Sequence, residues 1–156
     1  MSASTHPQTS APSLEAIDLV LFGEALRLMR TAQKIRSEPL EKVVDRLSCG
    51  SLVTLPMSPR RAALAANRAG VRGARWFGWL DTCLTKSLTA GGLLARRRRV
   101  VLRVGFRPGN GTTTVDGHAW LAVDDEDLQL SAPPDLGPNP YSEILEIPFS
   151  RRKGPA

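Results

Sequence analysis

The chain has 156 residues, which is enough for one domain with a hydrophobic core and too few for two domains of ordinary size. Hydrophobic residues make up 42% and charged residues 23%, as in soluble globular proteins, and no apolar run reaches the roughly 18 residues that a membrane-spanning helix needs. The net charge of +6 favours acidic partners, whereas an aromatic content of 5% offers no obvious stacking platform for single-stranded nucleic acid.

The two ends of the chain are predicted to lie outside the folded domain. Residues 1–13, MSASTHPQTSAPS, are predicted to form a disordered tail, and residues 151–156 a basic tail. The start has neither the basic nor the apolar region of a secretory signal, so we expect a cytoplasmic protein in which Cys49 and Cys83 are free thiols. One domain is predicted over residues 14–150, with a helical part over 14–98 and a sheet part over 99–150.

Apolar residues at helical spacing predict three helices before residue 80. The first begins at residue 14, the second spans residues 39–48, and the third begins with the pair Ser-Pro at residue 58. The third helix is expected to weaken at two glycines, Gly70 and Gly73. The tryptophans are expected mainly in the core: Trp76, Trp79 and Trp120.

A fourth helix is predicted over CLTKSLTAGGLLARRRR, capped by Asp81 or Thr82. Its arginines lie at the negative end of the helix dipole, where positive charge is favourable. We interpret them as a solvated helix end, and the alternative is a docking surface for an acidic leader peptide or partner: Arg96, Arg97, Arg98 and Arg99.

From residue 99 the apolar period changes to two, which predicts strands. RVVLRVGF is the first strand, PGNG a turn, and TTVDGHAWLAV the second strand. DDED is a polar turn, LQLS a short third strand, and YSEILEI a possible fourth. Helices followed by an antiparallel meander indicate an α+β fold.

Cys83 and His118 are the candidate catalytic pair. Cys83 lies in the first turn of the fourth helix, where unpaired backbone N–H groups favour a thiolate. His118 lies on a strand of the sheet against which this helix packs, and it shares a strand face with Trp120. This arrangement permits imidazole-activated thiol chemistry. A buried, unreactive cysteine and a structural histidine are the alternatives.

The order and spacing of these motifs resemble the transglutaminase-like leader peptidases of lasso-peptide biosynthesis. In that family a helix begins Cys-Leu-x-Arg-Ser-Leu and continues to Leu-Leu-Arg-Arg. A strand ending Gly-Val follows, and then Ala-His-Ala-Trp-Val-Glu-Val. The resemblance covers roughly residues 60–130. This chain departs from the pattern at Gly117, where the family has alanine, and at Lys86, where it often has arginine.

The resemblance implies a papain-like or transglutaminase-like core and a cysteine peptidase that needs neither cofactor nor metal. Cys83 attacks the peptide carbonyl between leader and core, and His118 accepts the thiol proton and delivers it to the departing amine. The backbone N–H of Cys83 is the first candidate donor to the oxyanion.

The resemblance also implies a third residue, an aspartate about a dozen residues after the histidine, which orients the imidazole. Counting from His118 reaches Leu130, which cannot do this, and a shift by two residues reaches Ala132. We take Asp135 as the candidate. A weakened or inactive enzyme stays open, and other nearby aspartates are expected to solvate the turn: Asp124, Asp125 and Asp127.

The resemblance implies several partners: a precursor peptide with its leader, a separate leader-recognition protein, and an ATP-dependent ring-closing enzyme that consumes the product. Two alternatives keep the fold but change the function. One is an acyltransferase that uses the same Cys-His pair, and the other is a non-catalytic peptide-binding module. A nucleic-acid binder ranks third because no groove-reading motif is visible.

Overall fold

The computed structural model describes residues 14–34, 37–49, 51–53, 57–109, 114–128, 130 and 141–150. Four helices precede four strands in the chain. The helices are α1 (Leu14–Lys34), α2 (Leu40–Ser48), α3 (Pro59–Phe77) and α4 (Cys83–Leu94). The strands are β1 (Val100–Pro108), β2 (Val115–Val123), β3 (Glu126–Leu128) and β4 (Ser142–Pro148). The predicted α+β class is therefore confirmed.

Helix α4 is the centre of the molecule. It packs against α1, α2 and α3 on one side and against β1 and β2 on the other. Its residues from Leu88 to Leu94 are all buried, which is possible because many are small, including Gly91 and Gly92. A helix with no solvent-facing stripe is typical of a core position.

Helix α3 is longer than predicted, because its glycines serve packing and do not weaken the helix. A Cβ at Gly73 would overlap the ring of Trp79, and one at Gly70 would overlap the Asp81 carboxylate. The helix continues to Phe77 and ends at Gly78, whose φ of +65° lies in the left-handed region. The expectation that Trp76 lies in the core was wrong, since it is 53% exposed.

The four strands form one antiparallel sheet in the order β3-β2-β1-β4. Alternation along β2 separates two faces. Ala119, Leu121 and Val123 belong to the hydrophobic core with the helices. Asp116, His118 and Trp120 occupy the other set of positions, as predicted for the histidine and the tryptophan.

The hairpin between β2 and β3 is tighter than the predicted four-residue turn. Asp124 and Asp125 have φ values of 51° and 72°, so these two residues make the turn, and Glu126 already lies in β3. Aspartate tolerates this left-handed conformation better than most residues. The third strand therefore begins at Glu126, two residues before the predicted strand LQLS.

Several predictions fall on residues outside those described. These are the two tails, 1–13 and 151–156, and Asp135. The domain limits at residues 14 and 150 stay a prediction. Among the described residues, no helix is both long and apolar enough to cross a membrane.

We predict opposite effects for two helical Gly→Ala substitutions. Gly91→Ala would force a methyl group into the buried Phe149 ring, so the overlap outweighs the gain in helix propensity. We expect a loss of about 1–2 kcal/mol in the free energy of unfolding. Gly23→Ala is the matched control, because a Cβ there meets no atom within 4 Å. It should stabilise the protein by about 0.5–1 kcal/mol, measured by urea denaturation. Stabilisation by Gly91→Ala would contradict the packing described.

Candidate active site

Cys83 is the first residue of α4, and a capping box fixes its position. The Thr82 hydroxyl accepts a hydrogen bond from the backbone N–H of Thr85 at 3.2 Å, and the Thr85 hydroxyl accepts one from the N–H of Thr82 at 3.1 Å. The backbone N–H groups of Cys83 and Leu84 have no acceptor among the described residues. The half-buried thiol therefore lies beside two unused donors at the positive end of the helix.

The loop before Cys83 is tied to the helices on both sides. The Gln33 side chain of α1 donates to the carbonyl of Leu80 at 2.8 Å and accepts from its N–H at 3.4 Å. Lys86 pairs with Asp81 at 3.0 Å, and both side chains are largely shielded from solvent. This ion pair gives Lys86 a structural role, because it holds the loop that leads to Cys83.

His118 lies at the end of the sheet where α4 begins. The Ser87 hydroxyl, one turn beyond Cys83, donates to the carbonyl of Ala119 at 3.1 Å. The other end of α4 lies beside the far end of β2, because the N–H of Asp124 donates to the carbonyl of Arg99 at 2.8 Å. Helix α4 thus runs antiparallel to β1, and its start lies level with the residues around His118.

Tyr141, which directly precedes β4, connects His118 with Asp116 and Arg107. Its ring stacks on the imidazole of His118, with centroids 4.8 Å apart and planes at 27°. The Arg107 guanidinium lies 4.8 Å from the centre of the same ring. The tyrosine hydroxyl donates to Oδ2 of Asp116 at 3.0 Å, and Nε of Arg107 donates to the same oxygen at 2.8 Å. The Tyr141 ring therefore contacts both an imidazole and a cation.

Electrostatic interactions within this cluster act on the tyrosine. Burial, the hydrogen bond to Asp116 and the negative charge of Asp116 raise the pKa of Tyr141 above its ordinary value, and the positive charge of Arg107 acts in the opposite direction. Cys83 begins α4 at the same end of β2, because Ser87, one turn beyond it, is bonded to Ala119, the neighbour of His118. His118 itself is 7% exposed.

Asp116 is the residue that sequence reasoning missed. The hydrogen bonds from Arg107 and then from Tyr141 lower its pKa below the ordinary value, and the charge of His118 acts in the same direction. It precedes His118 by two residues, so strand periodicity alone assigns both to one face of β2. The sequence carried this signal, but its partners on β1 and before β4 required the fold.

The predicted third residue, Asp135, lies outside the described residues. Leu130, which the motif spacing reaches, is buried in the core, and its carbonyl accepts a hydrogen bond from the Asn67 amide at 3.3 Å. The aspartates expected to solvate the hairpin turn form ion pairs instead: Asp124 with Arg98 at 2.7 Å, Asp125 with Arg99 at 3.2 Å, and Asp127 with Arg103 at 2.8 Å.

Two glycines next to the site make room for aromatic rings. Gly105 lies opposite His118 in β1, and a Cβ there would come within 2.9 Å of the Trp120 ring. A Cβ at Gly117 would come within 2.9 Å of Phe106, which explains why glycine replaces the usual alanine. The Trp120 ring packs near His118, with centroids 5.9 Å apart, and its buried Nε1–H has no acceptor among the described residues. Such a donor is costly unless a ligand uses it.

Comparison with known protein families assigns the chain. A family model described as "Transglutaminase-like superfamily" matches residues 22–135, well over half of the sequence. The chain belongs to the transglutaminase-like superfamily. No curated protein and no solved structure matches it. The match spans both Cys83 and His118, and it confirms the predicted core at the level of this superfamily. Within the described part of the chain, no cluster of three or more His, Cys, Asp or Glu side chains has the geometry to hold a metal.

The Tyr141 hydroxyl should contribute to the titration of Asp116 in this transglutaminase-like site. In Tyr141→Phe, loss of that hydrogen bond should raise the pKa of Asp116 towards its ordinary value. Because the folded-state pKa is the lower one, the stabilisation from Asp116 is complete above the unfolded-state pKa. It is lost as pH falls through the folded-state pKa, and the variant should lose it at higher pH. NMR of the carboxyl carbons measures this, with distant Glu24 as the control. An unchanged Asp116 titration would show that the hydroxyl does not bind this carboxylate.

Proposed function

We propose that the protein is a cysteine peptidase that removes the leader from a ribosomally synthesised precursor in lasso-peptide maturation. The observation that carries this proposal is the position of Cys83 at the capped start of α4, at the end of β2 where His118 stacks on Tyr141. Membership of the superfamily supports thiol acyl chemistry, since the superfamily includes cysteine peptidases and acyltransferases. The motif resemblance supports a leader peptide as substrate.

In this mechanism Sγ of Cys83 attacks the carbonyl carbon of the bond between leader and core, and His118 takes the thiol proton. The oxyanion accepts hydrogen bonds from the free N–H groups of Cys83 and Leu84. As the C–N bond breaks, His118 delivers its proton to the departing amine, which is the new N-terminus of the core. Water then attacks the leader thioester, His118 accepts a proton from it, and the thiolate leaves and is reprotonated.

The Tyr141 cluster acts in this proposal as a positioning device for His118. Ring stacking fixes the plane of the imidazole, while Asp116 and Arg107 hold Tyr141 in place from its hydroxyl and its outer face. The proposal therefore assigns Tyr141 and Asp116 the orienting role that the motif spacing leaves empty at Leu130. Asp135 stays a candidate for the same role.

The partners belong to the same proposal. The free amine at the new N-terminus of the core is the nucleophile that an ATP-dependent ring-closing enzyme requires, so that enzyme would act next. A separate leader-recognition protein would present the precursor. A cytoplasmic location, where the precursor is synthesised, fits these steps.

We predict that Cys83 reacts faster with iodoacetamide at pH 6 than Cys49 does, by about tenfold or more. Exposure alone predicts the opposite order of alkylation rates, because Cys49 is exposed and Cys83 is half-buried. His118→Ala should abolish the difference. Intact-mass measurement of the alkylation rate against pH, with Cys49→Ala as the reference protein, tests this expectation.

The same experiment can refute the proposal. If Cys83 reacts no faster than Cys49 and is indifferent to His118→Ala, the pair is not activated and the peptidase function fails. If Cys83 is activated but acyl groups pass to an added amine in preference to water, the function is acyl transfer. The product mass distinguishes these two reactions.

The positioning role predicts a difference between two substitutions of Tyr141. Tyr141→Phe keeps the ring that stacks on His118 and should change the alkylation rate of Cys83 at pH 6 by less than about threefold. Tyr141→Leu removes the ring, and its rate should fall by about tenfold or more, with a pH profile like that of His118→Ala. Arg103→Gln, which breaks ion pairs elsewhere on the sheet, is the control for general disturbance. Equal rates in the Phe and Leu variants would refute positioning by the ring.

A further inference from the structure

We infer that the exposed face of α3, together with the groove between α1 and α3, binds an acidic and partly apolar segment of the peptide substrate. This inference rests on the proposed peptidase function and adds to it the place where the leader lies. The surface, called the α3 face below, consists of Leu64, Arg68, Val71, Arg72 and Arg75.

The geometry of α3 separates this face from the core. The buried side of the helix is made of alanines and glycines that pack against α1 and α4. Leu64, Arg68, Val71 and Arg75 recur at steps of four, three and four residues, so they share the opposite side. Apolar and basic side chains alternate along it.

The apolar part of the surface is open to solvent. Leu64 is 48% and Val71 58% exposed, and Leu19 of α1 is 72% exposed. Leu19 and Phe22 line a groove with Arg68, Arg72 and Asp18, whose carboxylate pairs with Arg61. Exposed apolar groups that are contiguous and rimmed by charge are typical of binding sites.

The charge of α3 is one-sided. The helix carries five arginines and no acidic residue. Within the described part of the chain, Arg61 is the one α3 arginine that pairs with a carboxylate, that of Asp18 at 2.7 Å. Among the described residues, no carboxylate pairs with Arg68, Arg72 or Arg75. Most described arginines outside α3 are paired: Arg27, Arg46, Arg98, Arg99, Arg103 and Arg107. A ligand that supplies carboxylates therefore completes this surface.

The α3 face leads towards Cys83. The Arg72 guanidinium lies 5.4 Å from the centre of the Trp76 ring, which meets Phe77 edge-on at 6.3 Å. Phe77 stacks on Trp79 at 4.8 Å, and Trp79 belongs to the loop that ends at Cys83. We place the reacting end of the peptide at the C-terminal end of α3, from which the loop over residues 78–82 leads to Cys83.

A peptide suits this surface better than the other acidic partners. Duplex DNA is bound mainly through its phosphates, which make no apolar contacts with the exposed leucine and valine between the arginines. The arginines after α4 are a poorer site, because two of the four are paired with the hairpin turn and they lie at the end of α4 remote from Cys83.

The test measures binding of a labelled Glu- and Leu-rich peptide to the full chain carrying Cys83→Ala, by fluorescence anisotropy. Arg68→Glu combined with Arg72→Glu should weaken binding by about tenfold or more. Arg96→Glu with Arg97→Glu is the matched control, since it also replaces two exposed arginines and changes the net charge by the same amount as Arg68→Glu with Arg72→Glu. It should change affinity by less than about twofold. A Lys-for-Glu version of the peptide should not bind.

A second measurement links binding to the thiol. The same peptide joined to a chloroacetamide group should label wild-type Cys83 faster than free chloroacetamide does, and Arg68→Glu with Arg72→Glu should remove this gain. Equal effects of both arginine pairs, tighter binding of duplex DNA or anionic vesicles, or peptide binding without faster labelling would each overturn the inference. The last outcome would indicate a docking site for a partner protein. Failure of Cys83 to react with free iodoacetamide would instead refute the peptidase function, independently of the peptide.

Discussion

The hydrogen bond from the Ser87 hydroxyl to the Ala119 carbonyl is the contact on which the site depends. Both residues are buried, so leaving either group unpaired would cost more than the bond itself contributes. The bond sets the level of α4 along β2, and therefore the position of Cys83 relative to His118. The capping box at Thr82 and the Asp81–Lys86 pair then fix the first turn. The chemistry needs a rigid helix start, and the core provides it.

Local patterns in the sequence predicted much of this arrangement. The fourth helix, its cap at Thr82 and the faces of β2 follow from periodicity and capping chemistry, which depend only on nearby residues. The prediction that Gly70 and Gly73 weaken α3 was wrong, because these glycines allow close packing against Asp81 and Trp79. Rules that depend only on nearby residues do not include such contacts. The hairpin turn was misjudged because Asp124 and Asp125 adopt the left-handed conformation that usually indicates glycine or asparagine.

The partners of His118 show where sequence reasoning ends. Tyr141 follows His118 by 23 residues and reaches it only because β4 pairs with β1 on the side away from β2. The crossing depends on sheet order, which motif spacing does not encode. A motif-based search looks for the orienting carboxylate on the strand after the histidine and finds Leu130. The structure offers a tyrosine from across the sheet and an aspartate on the same strand.

An aromatic ring and a carboxylate orient an imidazole by different physical means. A carboxylate fixes the ring through a directional bond to one nitrogen and stabilises the imidazolium. A stacked tyrosine constrains the plane of the ring through contact between the two ring faces. The negative charge that stabilises an imidazolium can be supplied by Asp116, whose own charged form is stabilised by Arg107 and Tyr141. In the proposed peptidase the two functions that one aspartate would combine are divided between Tyr141 and Asp116, so a leucine at position 130 is compatible with the proposed chemistry.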